Sequence, residues 1–120
     1  MHNALFATER TLTISDLNRQ VRERLETTFP LTWVQGEISN LSRAPSGHLY
    51  FTLKDNQAQA RCVVWRNKAQ LLGWQPENGQ QVDVRALVTL YEPRGDYQLN
   101  VETLRRTGQG ALFQRFLELK

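Results

Sequence analysis

Residues 33–55, WVQGEISNLSRAPSGHLYFTLKD, decide how the rest of the chain folds. They read as two strands and the connection between them. Val34, Gly36 and Ile38 share one side of the first strand, and Gln35, Glu37 and Ser39 the other. Strand side chains alternate with period two, so one side can be buried and the other wet. Gly36 falls in the middle of the strand, where glycine marks a sharp bend or a close backbone approach. Ser42 to Gly47, SRAPSG, is turn chemistry. The second strand, His48 to Lys54, alternates again. Leu49, Phe51 and Leu53 point inward, and His48, Tyr50, Thr52 and Lys54 point outward. That outward row is unusual for a plain solvent face.

Working outward, Asp55 to Gln57 forms a tight turn into a third strand from Ala58 to Trp65. Its Ala60, Cys62 and Val64 lie on one side, and Gln59, Arg61, Val63 and Trp65 on the other. Arg66 to Leu72 suits one short helix, with Gly73 ending it. Trp74 then plugs the barrel bottom, and PENG at 76–79 turns the chain. Gln80 to Leu90 is a long fourth strand. Val82, Val84, Ala86, Val88 and Leu90 face in; Asp83, Arg85, Leu87 and Thr89 face out. Tyr91 to Tyr97, YEPRGDY, is a hairpin loop leading to the fifth strand, Gln98 to Leu104.

Before the hairpin, residues 1–14 are a lead-in, with Leu12 and Ile14 as candidates to tuck against the body. Ser15 offers an N-cap and Asp16 a first-turn acid. Leu17, Val21, Leu25 and Phe29, at steps of four, make an apolar stripe on a helix that Pro30 stops. The stripe suits packing against one end of the barrel. A recognition helix in a DNA groove is the alternative, but no short turn joins it to a second helix. The fold class is therefore mainly β. Five strands with a helix between the third and fourth, preceded by an N-terminal helix, make an OB-fold, a small Greek-key barrel. Helix and barrel span residues 15–104. Arg105 to Gly110, RRTGQG, is a linker, and Ala111, Leu112, Phe116 and Leu119 begin the helical pattern of a following domain.

The chain's 120 residues are enough for one core without disulfides, and 40% hydrophobic with 22% charged residues is a globular composition. The single Cys62 has no partner for an internal bond and suits a core role in a reducing compartment. The start, MHNALFATER, offers neither a signal peptide nor a membrane span. Net charge is +3, but its placement says more. Between Leu41 and Pro76, Arg43, Lys54, Arg61, Arg66 and Lys68 face the single acid Asp55. Clustered positive charge is the footprint of a polyanion binder, or an ordinary solvated surface.

A catalytic reading fails on inspection. There is no phosphate-binding glycine loop. With two histidines and one cysteine there is no zinc set, and no carboxylates pair for a metal. No active site and no cofactor are expected within these residues. Binding is the better case. Single strands are held by rings that stack on bases and by Lys or Arg that meet phosphates. The outward rows supply His48, Tyr50, Thr52, Lys54, Arg61 and Trp65. The first loop adds Arg43, and the last adds Tyr91, Arg94 and Tyr97. The competing structural reading has Tyr50 and Trp65 covering the barrel or the helix.

WVQGEISNLSRAPSGHLYFTLKD, RCVVWRNKA, LYEPRGDYQL and GQGALFQRFLELK, in that order, resemble the start of the exodeoxyribonuclease VII large subunit, and LTISDLNRQV resembles that family's opening helix. The likeness runs from Leu12 to Lys120. It implies an OB-fold for single-stranded DNA, followed in the longer protein by a nuclease domain. A further region there holds small subunits, which this domain is not expected to touch. The implied activity is hydrolysis of single-stranded DNA from either end to oligonucleotides in the bacterial cytoplasm, by catalytic residues beyond Lys120. Two other classes stay open: an RNA-binding barrel of the anticodon type, and a protein-interaction barrel.

Overall fold

The structure is a computed structural model that describes residues 10–108. The lead-in up to Glu9 and the apolar pattern from Ala111 to Leu119 lie outside the described residues. Helix α1 (Ile14–Thr28) precedes strands β1 (Thr32–Arg43), β2 (Leu49–Lys54) and β3 (Gln59–Val64). A single-turn helix α2 (Arg66–Ala69) follows, shorter than the sequence suggested, and then β4 (Gln81–Tyr91) and β5 (Asp96–Arg106). The strands close into a barrel in the order β1-β2-β3-β5-β4. All pairings are antiparallel except β3 with β5.

Closure depends on β1 belonging to two ladders. Its first half pairs with β4 and its second with β2, and Glu37 sits at the changeover, opposite both Gln81 and Lys54. Gly36 is buried one residue earlier. A Cβ there would stand 2.8 Å from Leu53 Cγ and 3.0 Å from the Lys54 carbonyl oxygen. Only a residue without a side chain lets β2 cross this closely. Further along β1 the register with β2 shifts between Ser39 and Ser42, and Asn40 takes φ 54°. Asparagine tolerates that left-handed conformation better than most residues. The Leu41 N–H is satisfied by Asn78 Oδ1 at 2.9 Å.

The core is built from the inward rows as the alternation predicts. Ile38, Leu49, Phe51, Leu53, Cys62, Val84 and Val101 are all buried, while Val34, Val88 and Trp74 are half-buried and pack against them. Burial pushes the Cys62 thiol up to about 12. Two residues assigned to the wet side are buried instead. Val63 retains 2% of its surface, beside its cross-strand partners Tyr50 and Asn100. Thr89 is covered by α1, where its hydroxyl donates to Glu26 Oε2. Period two tells which side a residue takes, not what lies on that side.

Helix α1 differs from expectation at its start and on its face. Its N-cap is Thr13, not Ser15: the Thr13 hydroxyl accepts from the Asp16 N–H at 3.0 Å. Ile14, a candidate to tuck in, is exposed. The apolar stripe does not enter the core, since Leu17, Val21 and Phe29 keep 44, 36 and 43% of their surface. The neighbouring polar row meets β4 and the β4–β5 turn. Asn18 Nδ2 donates to the Glu92 carbonyl at 2.9 Å, and Glu26 accepts from Thr89. Arg22 Nε lies 2.8 Å from Glu92 Oε2, an ion pair whose N–H is poorly aimed for a hydrogen bond. The physical reason is the surface being covered. A buried hydroxyl and a turn carbonyl need polar partners, and Asn18, Arg22 and Glu26 supply them at one helical spacing. The helix thereby braces the β4–β5 turn from behind.

Candidate nucleic-acid interface

The outward rows of β2 and β3 meet the β1 bulge and the β4–β5 turn around one open groove of about 570 Å³. Tyr50 and Thr52 come from β2, and Arg61 and Val63 from β3. Trp65 stands at the end of β3, and Tyr91 and Arg94 hang over from the turn. A second hollow of about 370 Å³ shares Thr52 and Arg61 and continues to Asp96 and Tyr97. The two therefore form one track with Arg61 at its middle. Tyr50, Trp65, Tyr91 and Tyr97 are each more than a third exposed, an uncommon density of open rings. Val63 gives this face an apolar floor.

Of the ten residues singled out from sequence, six line the main groove: Tyr50, Thr52, Arg61, Trp65, Tyr91 and Arg94. Tyr97 lines the continuation. Lys54 lies past it, beside a small hollow of about 160 Å³ that Tyr97 also borders. His48 and Arg43 are placed differently. His48 Nδ1 accepts the Arg66 N–H at 2.8 Å, and its ring meets Trp65 edge-on at 4.9 Å and Tyr50 at 6.4 Å. It holds the start of α2 and the Trp65 ring rather than facing the groove. Arg43 donates through Nη2 to the Pro76 carbonyl at 2.9 Å and is not part of the groove wall.

The cations differ in freedom. Arg61 makes no ion pair among the described residues. Arg94 is loosely held, its Nε 3.7 Å from Asp96 Oδ2 and its guanidinium 5.4 Å from the Tyr91 ring centre. The turn carrying it is closed by the Gly95 N–H on the Tyr91 carbonyl at 2.9 Å, with Gly95 at φ 72°. Sequence reasoning missed Asn40, Ser42 and Gln98, neutral hydrogen-bonding groups in the same wall. The β1 bulge brings in the first two, and a bulge leaves no mark in the hydrophobic period. The one available signal was an asparagine, a residue suited to left-handed backbone, directly after an alternating strand.

The groove offers exposed rings, a guanidinium without an ion pair among the described residues, and neutral polar groups, a combination suited to a charged, flat-faced polymer. Among the described residues no three His, Cys, Asp or Glu side chains are grouped to hold a metal ion. Nor is any described helix long and apolar enough to cross a membrane.

Relatives agree with the motif likeness. The chain is 60% identical over 107 residues to the exodeoxyribonuclease 7 large subunit of Nitrosomonas eutropha, covering 89% of this chain and 24% of that protein. It is 58% identical over 120 residues to that of Nitrosomonas europaea, covering 99% and 27%. The chain thus spans about a quarter of the length of the curated relatives it matches. Among solved structures, a replication protein A heterotrimer bound to single-stranded DNA shares the fold. Its TM-score is 0.52 at 15% identity, over 70% of this chain and 64% of that one. The sequence model of the OB-fold nucleic acid binding domain matches residues 12–105. That span takes in α1, the barrel but for the last residue of β5, and every side chain of the track, and the chain belongs to that family.

Proposed function

We propose that the chain binds single-stranded DNA along the Trp65–Arg61–Tyr97 track, as the strand-holding part of an exodeoxyribonuclease, and does not itself cut. The observation that carries this is the row of open rings with Arg61, which makes no ion pair among the described residues, at its centre. Stacking accepts any base, and arginine accepts any phosphate, so sequence preference is slight. DNA rather than RNA follows from the relatives' name, and the replication protein's bound strand supports a single-stranded partner. In the longer protein, the chain leads on to the nuclease domain after β5, which takes in Arg105 and Arg106, two residues that the sequence reading gave to the linker. Small subunits attach elsewhere, and the assembly works in the bacterial cytoplasm. Hydrolysis needs a positioned nucleophile and stabilisation of developing charge. The track supplies only part of the second.

The test is fluorescence anisotropy with labelled single strands, matched DNA and RNA, over a salt series. The expected result is binding to DNA that weakens with salt. Arg61→Ala and Arg94→Ala each flatten the salt slope by roughly one phosphate contact. No shortened product appears from end-labelled DNA, with or without magnesium. Preference for RNA points to an anticodon-type barrel. No affinity for either strand points to a protein partner. Wild-type binding by both arginine variants at low salt means that another face is used.

A further inference from the structure

A second group of ring and cations lies away from the track, where β1, β4 and β5 run side by side. Trp33 keeps 44% of its surface. The Arg105 guanidinium reaches over β4 to stand 3.8 Å from the centre of its ring. Arg85 is exposed and lies opposite Trp33 in the β1–β4 ladder. It makes no ion pair among the described residues. On the footing of the track reading above, we propose that this cluster is a second contact point for the single strand. Only strands long enough to pass the Tyr97 end of the track reach it.

The charges favour a polyanion. Asp83 is the acid that shares this side of β4 with Arg85, and its carboxylate is taken up. Oδ2 lies 3.3 Å from Arg105 Nε, and Oδ1 accepts from the Thr107 hydroxyl at 3.0 Å and from Gln35 Nε2 at 3.3 Å. The same ion pair holds Arg105 flat over the indole. Its Nη groups make no hydrogen bond among the described residues. An arginine fixed in this way before a ligand arrives loses little side-chain freedom on binding. One open ring with two guanidinium groups beside it meets a base face and its phosphate together.

A continuous path joins the two places. Tyr97, which ends the track, also borders the hollow of about 160 Å³ that Lys54 and Gln35 line. Lys54 makes no ion pair among the described residues. The acid on that hollow, Asp55, accepts the N–H groups of Gln57 and Ala58 in its own turn. Gln35 is the residue bonded to Asp83. Trp33 lies two residues from it on the same side of β1, about 7 Å away. Tyr97, Lys54, Gln35 and Trp33 thus carry the path around the barrel with a ring or a polar group at each step. The end of β5 is fixed here too, since the Thr107 N–H donates to the Gln81 carbonyl at 3.0 Å and its hydroxyl to Asp83. A strand held at Trp33 therefore lies beside the point where the chain leaves the barrel.

The test uses the full 120-residue chain and labelled thymidine strands of about 5 and about 16 nucleotides, the two ends of the range of site sizes for one OB-fold. Trp33→Ala and Arg85→Ala should each weaken binding of the longer strand by about fivefold or more. Arg85→Ala should also lower its salt slope by roughly one contact. Both variants should bind the shorter strand like the parent, while Arg61→Ala weakens both lengths. Photocrosslinking keeps the test open should Trp33→Ala fold poorly. In the parent chain, a longer strand with iodouracil at one end or the other should mark the tryptic peptide Leu25–Arg43, which holds Trp33, from one of its ends; the shorter strand should not. Parent-like binding of the longer strand by either variant, or no mark from either end, overturns the second contact and leaves the track standing wherever Arg61→Ala still weakens both lengths. Loss of the shorter strand in either variant overturns it as well, because the cluster would then be the first site. Parent-like binding of both lengths by Arg61→Ala refutes the track and takes the second contact with it.

Discussion

Gly36→Ala tests the reasoning about barrel closure most directly. The added methyl would stand 2.8 Å from Leu53 Cγ, 3.1 Å from Leu53 Cδ1 and 3.0 Å from the Lys54 carbonyl oxygen. The leucine is a core residue at 4% exposure, and the carbonyl belongs to the β1–β2 ladder. Neither is the free end of a flexible side chain. Overpacking of this kind costs about 1–3 kcal/mol. Against that, alanine narrows the unfolded ensemble and gains about 0.4–1 kcal/mol. The net expectation is a loss of about 1–2 kcal/mol, which for a domain of this size lowers Tm by roughly 5–15 °C. Thermal melts followed by circular dichroism read it. Removing the obstruction supplies the control. In Gly36→Ala with Leu53→Ala the combined loss is smaller than the sum of the two single losses, because the variants share a contact. A Gly36→Ala variant that melts at or above the parent temperature refutes the claim that glycine is needed for the close crossing. Strict additivity in the double variant refutes Leu53 as the obstruction.

Three further outcomes are expected. Cys62 should resist iodoacetamide at pH 8 in the folded chain and react readily in denaturant, because the folded thiol stays protonated. The folded value of about 12 lies above the ordinary 9.0, so the thiol's stabilising contribution is complete below about pH 9 and is lost as pH rises toward 12. His48→Leu should weaken single-strand binding by freeing the Trp65 ring, while His48→Asn, which keeps an acceptor for the Arg66 N–H, should stay near the parent; equal loss in both variants would mean that the imidazole itself touches the strand. Tyr50→Ala should weaken binding by about 1–3 kcal/mol if a base stacks there, with a melt near the parent's, since the ring lies outside the core cluster and keeps 41% of its surface; unchanged affinity in the anisotropy assay removes Tyr50 from the interface.

Much of the barrel could be read from alternation alone, because burial of one side of each strand is the strongest demand on composition. Leu49, Phe51 and Leu53 against Tyr50, Thr52 and Lys54 is such a case, and Gly36 announced the crossing. What escaped was decided by contacts far away in sequence. Thr89 looks outward by period and is buried only because α1 lies over it. The row Leu17–Phe29 looks like a core stripe until the polar needs of Thr89 and Glu92 turn the helix by one row. His48 and Arg43 carry the right chemistry for a phosphate, yet His48 Nδ1 is engaged by the start of α2 and Arg43 Nη2 by the Pro76 carbonyl, and neither residue lines the groove. Tyr50, Arg61, Trp65 and Arg94 were legible because strand period and loop tip fix their direction without outside help.

The parallel seam between β3 and β5 has a bearing on how the barrel breathes. It pairs only Arg61 with Gln98, Cys62 with Leu99 and Val63 with Asn100, whereas β4 and β5 pair along most of their length. Local opening favours the shortest ladder, so the barrel should unzip first at this joint. Arg61 on one bank and Gln98 on the other both line the groove. A strand lying there touches both banks at once, and a ligand that binds only the closed form holds it shut in proportion to its occupancy. Occupied barrels should therefore show slowed exchange of the β5 amide that bonds to β3 in the segment Gln98 to Asn100, before any change at the far ladder between β1 and β4.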